Sequence, residues 1–286
     1  MIEPGTLYVV ATPIGNLDDM SKRAIDVLQS VAVIAAEDIR HSKKLLQYFH
    51  IKTRLVSYHD FSSESVANEL LDQLMSGQSI ALISDAGTPL ISDPGYKLVN
   101  LLRDRDIPVI PIPGASAVIA ALSVAGLATD RFVFEGFLPA KTAARLARLK
   151  SLSSESRSLV IYESPHRILA SLTDMGQAFG ESRQIFIGRE LTKKFETHYR
   201  GTIPHCLQCL QQDSKQGKGE CVLVVQGCSE EILQAVKQQQ ALDLVDYLRK
   251  DVSMKKAVSI ASQITGARKN QLYEAALKVG AAAAPP

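Results

Sequence analysis

The sequence has no tryptophan and only eight tyrosines and eight phenylalanines in 286 residues, so composition alone gives no argument for recognising nucleic-acid bases by stacking. Cysteine is scarce as well. The four, Cys206, Cys209, Cys221 and Cys228, fall in one short region. The Cys206-x-x-Cys209 spacing invites a zinc reading. Burial as small hydrophobes accounts for all four more simply, two on one face of a short helix and two bracketing the apolar run VLVVQG. No apolar run approaches eighteen residues, and residues 1–12 lack the basic start and cleavage pattern of a signal peptide. A cytoplasmic protein with no membrane partner and no disulfides is therefore expected. Three motifs are missing too. Without G-x-G-x-x-G, a Walker loop or G-x-S-x-G, the chain carries no dinucleotide fingerprint, no nucleotide-triphosphate cradle and no nucleophile elbow.

What is present describes a globular protein, 46% hydrophobic and 22% charged, too long for one core. The expected fold class is α/β, with two α/β domains and a small C-terminal helical appendage. The expected bounds are 1–126, 127–229 and 230–286. The net charge of +2 hides a lopsided distribution. Residues 1–130 carry ten Lys and Arg against fifteen Asp and Glu, residues 131–200 twelve against seven, and residues 237–286 eight against four. Basic later segments suit a polyanionic partner, and solvated helix faces produce the same bias.

Chemistry is expected first at ALISDAGTPLISDPG, residues 81–95, where a buried run stops at Ser84-Asp85 and opens into Gly87, Thr88, Pro89, Asp93, Pro94 and Gly95. An ordinary strand-to-turn connection would read the same way. Two further strands, Leu7–Ala11 and Val109–Ile112, end in similar loops, Thr12-Pro13-Ile14-Gly15-Asn16 and Pro113-Gly114-Ala115-Ser116-Ala117. Helical stripes lie between the strands, one expected from Asp18 to Ser30 and another from about Ser63 to Ser76. Strands alternating with helices imply a parallel sheet, and parallel strands bring their C-terminal loops to one edge. The three loops can then converge on a polar ligand, with free N–H groups at a helix start after Ser116.

The second half reads as a mixed sheet with strands at 159–162, 185–188 and 221–226. A basic helix carries Lys141, Arg145 and Arg148, and two strand-end loops carry Glu163, His166, Arg167, Arg189, Glu190, Lys193 and Lys194. These pool general-base candidates beside cations able to meet phosphate. In the tail, helices over 241–250, 253–264 and 269–279, with a turn at Thr265-Gly266-Ala267, outline either a helix-turn-helix or a small bundle. Lys255, Lys256, Arg268 and Lys269 are its candidate contacts to nucleic-acid phosphates.

Taken in order, VATPIGNLDD, AAEDIRHSKKLL, ISDAGTPLISDPG, PIPGASAVIAALSVAGL, EGFLPAK, IYESPHR and RELTKKFE are more specific than any one alone. The sequence resembles the tetrapyrrole-methylase superfamily of S-adenosylmethionine-dependent methyltransferases, and within it the branch that methylates cytidine 2′-hydroxyls of small-subunit ribosomal RNA. The resemblance implies two α/β domains with S-adenosylmethionine in a cofactor cleft between them, held by Pro13, Ser84, Asp85, Gly87, Thr88, Ser116, Ala117 and Tyr162, and a homodimer. It implies ribosomal RNA or the small subunit as partner, held by Lys141, Arg145, Arg167, Lys193 and Lys194. It does not name the base that removes the hydroxyl proton, for which Glu190 is the first choice and Glu163, His166 and Lys141 compete. A methyltransferase for a small tetrapyrrole and a non-catalytic RNA-binding module are the rival expectations.

Overall fold

The computed structural model describes residues 2–59, 64–212 and 218–282. The expected helix start at Ser63 lies outside them. The first sheet is built from β1 (Leu7–Val10), β2 (Val33–Ala36), β3 (Arg54–Ser57), β4 (Ile80–Ile83) and β5 (Val109–Ile112). Its order is β3-β2-β4-β1-β5 and every pairing is parallel. Strands buried on both faces need apolar residues at both parities, which β2 and β4 supply as VIAA and IALI. One face packs on α1 (Lys22–Ser30) and α2 (Ile39–Tyr48), the other on α3 (Glu64–Met75) and α4 (Tyr96–Arg103).

The helix expected from Asp18 is two pieces. Asn16 accepts from the Asp18 N–H and sets a short 3-10 turn, Leu17–Asp19, and Ser21 then caps α1 by accepting from the Ala24 N–H.

The second sheet holds β6 (Phe132–Phe137), β7 (Ser158–Glu163), β8 (Gln184–Arg189), β9 (Thr197–Thr202) and β10 (Cys221–Val225), in the order β6-β7-β10-β8-β9. Only β6 and β7 pair in parallel; the rest is antiparallel, a mixed sheet as expected. Alternation divides its faces. Leu159, Ile161, Ile185, Ile187, Leu223 and Val225 face α6 (Thr142–Ser151), α7 (Ile168–Phe179) and α8 (Ile203–Gln212). Val160, Phe186, Val222 and Val224 face the other way. That other face is covered by α5 (Ala117–Ala125), through Val118, Ala121, Leu122 and Ala125. The helix that follows the first sheet thus covers one face of the second.

The tail consists of α9 (Glu230–Leu248), α10 (Met254–Thr265) and α11 (Lys269–Ala282) around Ala241, Val245, Ala257, Val258, Ala261 and Leu272. Helix α9 begins eleven residues before the expected start, capped by Ser229. Gly266, at φ +71°, ends α10 in the left-handed conformation that glycine takes without a Cβ penalty. Among the described residues no helix is long and apolar enough to cross a membrane.

Candidate active site

The three strand-end loops of the first sheet are laced together. Thr12 and Gly87 exchange backbone hydrogen bonds, Thr12 N to Gly87 O at 2.8 Å and Gly87 N to Thr12 O at 3.0 Å. Thr88 Oγ1 donates to Ala115 O at 3.1 Å, which ties the second loop to the third. Gly87 sits at φ +79°, and a Cβ on it would lie 3.2 Å from Ile14 Cγ2, so both conformation and space call for glycine there.

Opposite these loops stand the C-terminal ends of β6, β7 and β8 and the start of antiparallel β10. Between them is a cavity of about 310 Å³. Gly87, Thr88, Ser116, Ala117 and Tyr162, all expected to hold the cofactor, line it. Ile14, Leu191 and Val222 give it apolar walls. Size and lining suit an adenosyl thioether: apolar walls for the base, hydroxyls of Thr88 and Ser116, and the first turn of α5, whose N-cap Ser116 makes no capping hydrogen bond.

Three residues expected to hold the cofactor lie outside this lining: Pro13, Ser84 and Asp85. The Asp85 carboxylate is turned to the neighbouring strand end, where Oδ1 accepts from the Asp38 N–H at 3.2 Å. Ser84 is buried beneath, its hydroxyl on Ala86 O at 3.3 Å. Of the aspartates in this stretch, the one that lines the cavity is Asp93, eight residues on. The expected stretch does form the wall, and a different aspartate of that stretch faces the cavity.

The proposed bases fare differently from one another. Glu163 lines the cavity, but its carboxylate is fully buried and engaged by Ser171 Oγ at 2.6 Å, Ser164 N at 2.8 Å and Arg167 Nη2 at 3.3 Å. Glu190, at φ +53°, turns Oε1 to the Glu220 N–H at 2.9 Å and to Lys193 Nζ at 2.8 Å, and it is not in the lining. Desolvation opposes its ionisation, yet the Lys193 ammonium and the Glu220 N–H together hold its carboxyl below the usual range. His166 and Lys141 are exposed and line no part of the cavity.

Among the expected RNA contacts, Arg145 requires a correction. Its guanidinium is only 3% exposed, with Nε on Asp174 Oδ2 at 2.6 Å and further bonds to Ala140 O and Thr142 Oγ1. A cation buried and saturated in this way fastens α6 to α7 and is closed to phosphate. Arg167 is half-buried against Glu163 and Leu138 O. Lys193 lines the cavity, and Lys194, Lys255, Lys256, Arg268 and Lys269 are exposed. Among the cysteines, Cys206, Cys221 and Cys228 are buried, and burial pushes the Cys206 thiol up to about 11 and that of Cys221 to about 12. Cys206 and Cys228 are packing residues, Cys221 is packed at the cavity wall, and Cys209, expected to be buried with them, is only half-buried, beside His205 Nε2 at 3.6 Å.

A parallel sheet whose loops meet a mixed sheet around one cofactor-sized cavity defines a two-domain methylase architecture. The chain belongs to the tetrapyrrole (corrin/porphyrin) methylase family, whose model matches residues 6–206, in the group of the ribosomal RNA small subunit methyltransferase I proteins. A second model, the RsmI C-terminal HTH domain, matches residues 235–279. The protein of that name from Pseudomonas aeruginosa is 48% identical over 96% of this chain and 97% of its own. That from Escherichia coli O157:H7 is 49% identical over 96% and 95%. The same fold occurs in uroporphyrin-III C-methyltransferase from Thermus thermophilus, whose structure is a complex with S-adenyl homocysteine. It matches with a TM-score of 0.52 at 15% identity, over 77% of this chain and 96% of that one.

Proposed function

We propose that this chain is an S-adenosylmethionine-dependent methyltransferase that methylates the ribose 2′-hydroxyl of a cytidine in small-subunit ribosomal RNA. One observation carries the reading against a tetrapyrrole substrate. The uroporphyrin enzyme is itself matched almost whole yet leaves about a quarter of this chain uncovered, whereas the relatives named for ribosomal RNA match 96% of it. The helical tail belongs with the RNA relatives.

Gly87, Thr88, Ser116, Ala117 and Tyr162 would hold S-adenosylmethionine, with Ile14, Leu191 and Val222 against its apolar parts. When bound, it supplies a methyl group on a cationic sulfur, an electrophile that needs no further activation. The chain's own tasks are to bring the ribose hydroxyl into line, exclude water and take up the hydroxyl proton. Tyr162 serves the first of these, wedged between Phe134 at 4.9 Å and Phe137 at 5.6 Å, both edge-on. Phe137 is 58% exposed at the cavity, an apolar surface on which a base drawn out of its stack can rest. The exposed cations Lys141 and Lys194, with those of the tail, meet the RNA backbone.

The enzyme works in the cytoplasm as a homodimer. Ile119 and Val124, exposed on α5, and Phe132 at the start of β6 supply apolar surface for a second copy. Methyl-labelled S-adenosylmethionine offered with small subunits, naked RNA or a porphyrinogen tests the substrate. Label on a cytidine ribose is the expected result, and label on the porphyrinogen would replace this reading with the tetrapyrrole one.

A further inference from the structure

We infer that Asp93 accepts the proton of the ribose hydroxyl that is methylated, and is thus a catalytic residue of the site; this rests on the function just proposed. The geometry supports it first. Asp93 lies in a segment, residues 90–95, that the first sheet sends across to the second. Leu90 at φ +73° and Ser92 at φ +66° are both left-handed without being glycine, a conformation L residues keep only where surrounding structure holds them. Asp93 follows these two reversals and lines the cavity, whereas Asp85, at the root of the same loop, lies outside the lining and accepts from the Asp38 N–H. The segment is seated on the second sheet. Ser92 Oγ would lie 3.1 Å from a Cβ at Gly136, and Gly136 occupies the bulge of β6 at φ +63°. The loop and its strand are thus fitted to one another at the cavity wall, beside the exposed Ile91 and Phe137, where a substrate must enter.

The other titratable groups of the lining are unsuited to proton uptake. Glu163 is spoken for by three donors. Tyr162 is pushed up to about 12, by burial first and then by the Asp93 charge, so it stays protonated. The Cys221 thiol is as high. Lys193 is half-buried, which disfavours its charge, but Glu190 and Glu220 outweigh this and keep it cationic. Glu220 is taken by Lys193 at 3.2 Å. Asp93 remains. Burial raises its carboxyl to about 6, the Ser84 hydroxyl opposes the rise, and the Glu37 and Asp85 carboxylates add to it. At neutral pH it is ionised, and it is a stronger base than an ordinary aspartate. In the step assigned to it, the hydroxyl oxygen bonds the methyl carbon as the carbon–sulfur bond breaks, its electron pair remaining on sulfur. The hydroxyl proton passes to Asp93 and from there to water.

The test compares Asp93→Asn and Asp93→Glu with the wild type in three measurements: calorimetric binding of S-adenosylhomocysteine, cosedimentation with small subunits, and single-turnover methylation from pH 5 to 9. The expected result for Asp93→Asn is a rate lower by about 100-fold or more, with both affinities preserved. The wild-type rate should rise through a midpoint near pH 6. Asp93→Glu should recover part of the rate with a displaced midpoint. A near-wild-type rate for Asp93→Asn overturns the inference and leaves the proposed function standing. A loss of S-adenosylhomocysteine affinity as large as the loss of rate also overturns it, making Asp93 a cofactor ligand. A wild type that labels no ribosomal RNA removes the function itself, and the inference with it.

Discussion

Lys193 lies with its aliphatic chain against Gly15, so closely that a Cβ on the glycine would fall 2.4 Å from Cγ and from Cε of the lysine. The ammonium continues to Glu190 Oε1 at 2.8 Å and Glu220 Oε2 at 3.2 Å. One side chain therefore spans from the first strand-end loop of one sheet to the loops of the other, along the cavity it lines. Gly15, at φ +142°, also has a backbone conformation that side chains avoid.

Gly15→Ala should push Lys193 off its two carboxylates and open that wall of the cavity. The expected outcome is about tenfold weaker binding of S-adenosylhomocysteine, roughly 1.4 kcal/mol, read by calorimetry. Lys193→Met, which keeps most of the aliphatic chain and drops the charge, should lose less through packing and more through the ion pairs. Affinities equal to wild type for both variants would show that the clasp does not hold the site together.

The buried pair of Arg145 and Asp174 supports a prediction about stability with no RNA involved. Removing one member leaves the other charged and unpaired between α6 and α7, a change that costs about 3–5 kcal/mol in comparable settings. Arg145→Ala should lower the urea midpoint accordingly. Replacing both residues by apolar ones of similar size should recover much of the loss. A midpoint unchanged by Arg145→Ala would return this arginine to the surface role its spacing suggested.

That arginine shows what a sequence can and cannot reveal. Lys141, Arg145 and Arg148 recur at helical spacing, and the helix is there. Which of the three is buried depends on Asp174, contributed by a different helix 29 residues on. The parallel strands were legible because each is an apolar run ended by a turn, and the order of their loops followed from chain direction. Strand β9, THYRGT, was not legible: it is an edge strand with exposed alternate residues and no apolar stripe. The exchange of Asp85 for Asp93 has a third cause. Both carboxylates are in the same loop, and the backbone reversals between them, at positive φ in Leu90 and Ser92, leave no sign in residue type.

Asp93 also makes a prediction that needs no substrate. A carboxyl with a folded pKa near 6 favours the folded state while it is protonated, and that stability is lost as pH rises from the ordinary aspartate range through about 6. Above this window the ionised group is a standing cost. Asp93→Asn removes it, so the variant should be more stable than wild type at pH 8, by about 1 kcal/mol once solvent screening is allowed for. The difference should shrink toward pH 4. Urea midpoints at the two pH values decide it, and a variant less stable than wild type at pH 8 would show that the loop needs the charge.

The tail offers the last test, and helix electrostatics sharpen it. Lys255 and Lys256 occupy the first turn of α10, Lys269 begins α11 and Arg268 precedes it, all exposed. Cations in a first turn oppose the helix dipole, so their placement does nothing for helix stability. Lys269 Nζ donates to Ser259 Oγ of α10 at 3.3 Å, and the proposed contact with RNA phosphate would account for the others. The paired change Lys255→Glu and Lys269→Glu should weaken binding to small subunits. It should also flatten the fall of log K with log salt, by nearly one unit for each phosphate no longer neutralised. Lys22→Glu, on the acidic first half and well solvated, serves as the control and should change neither quantity. Equal salt slopes for the paired variant and the wild type would mean that the tail helices pack against one another without holding RNA.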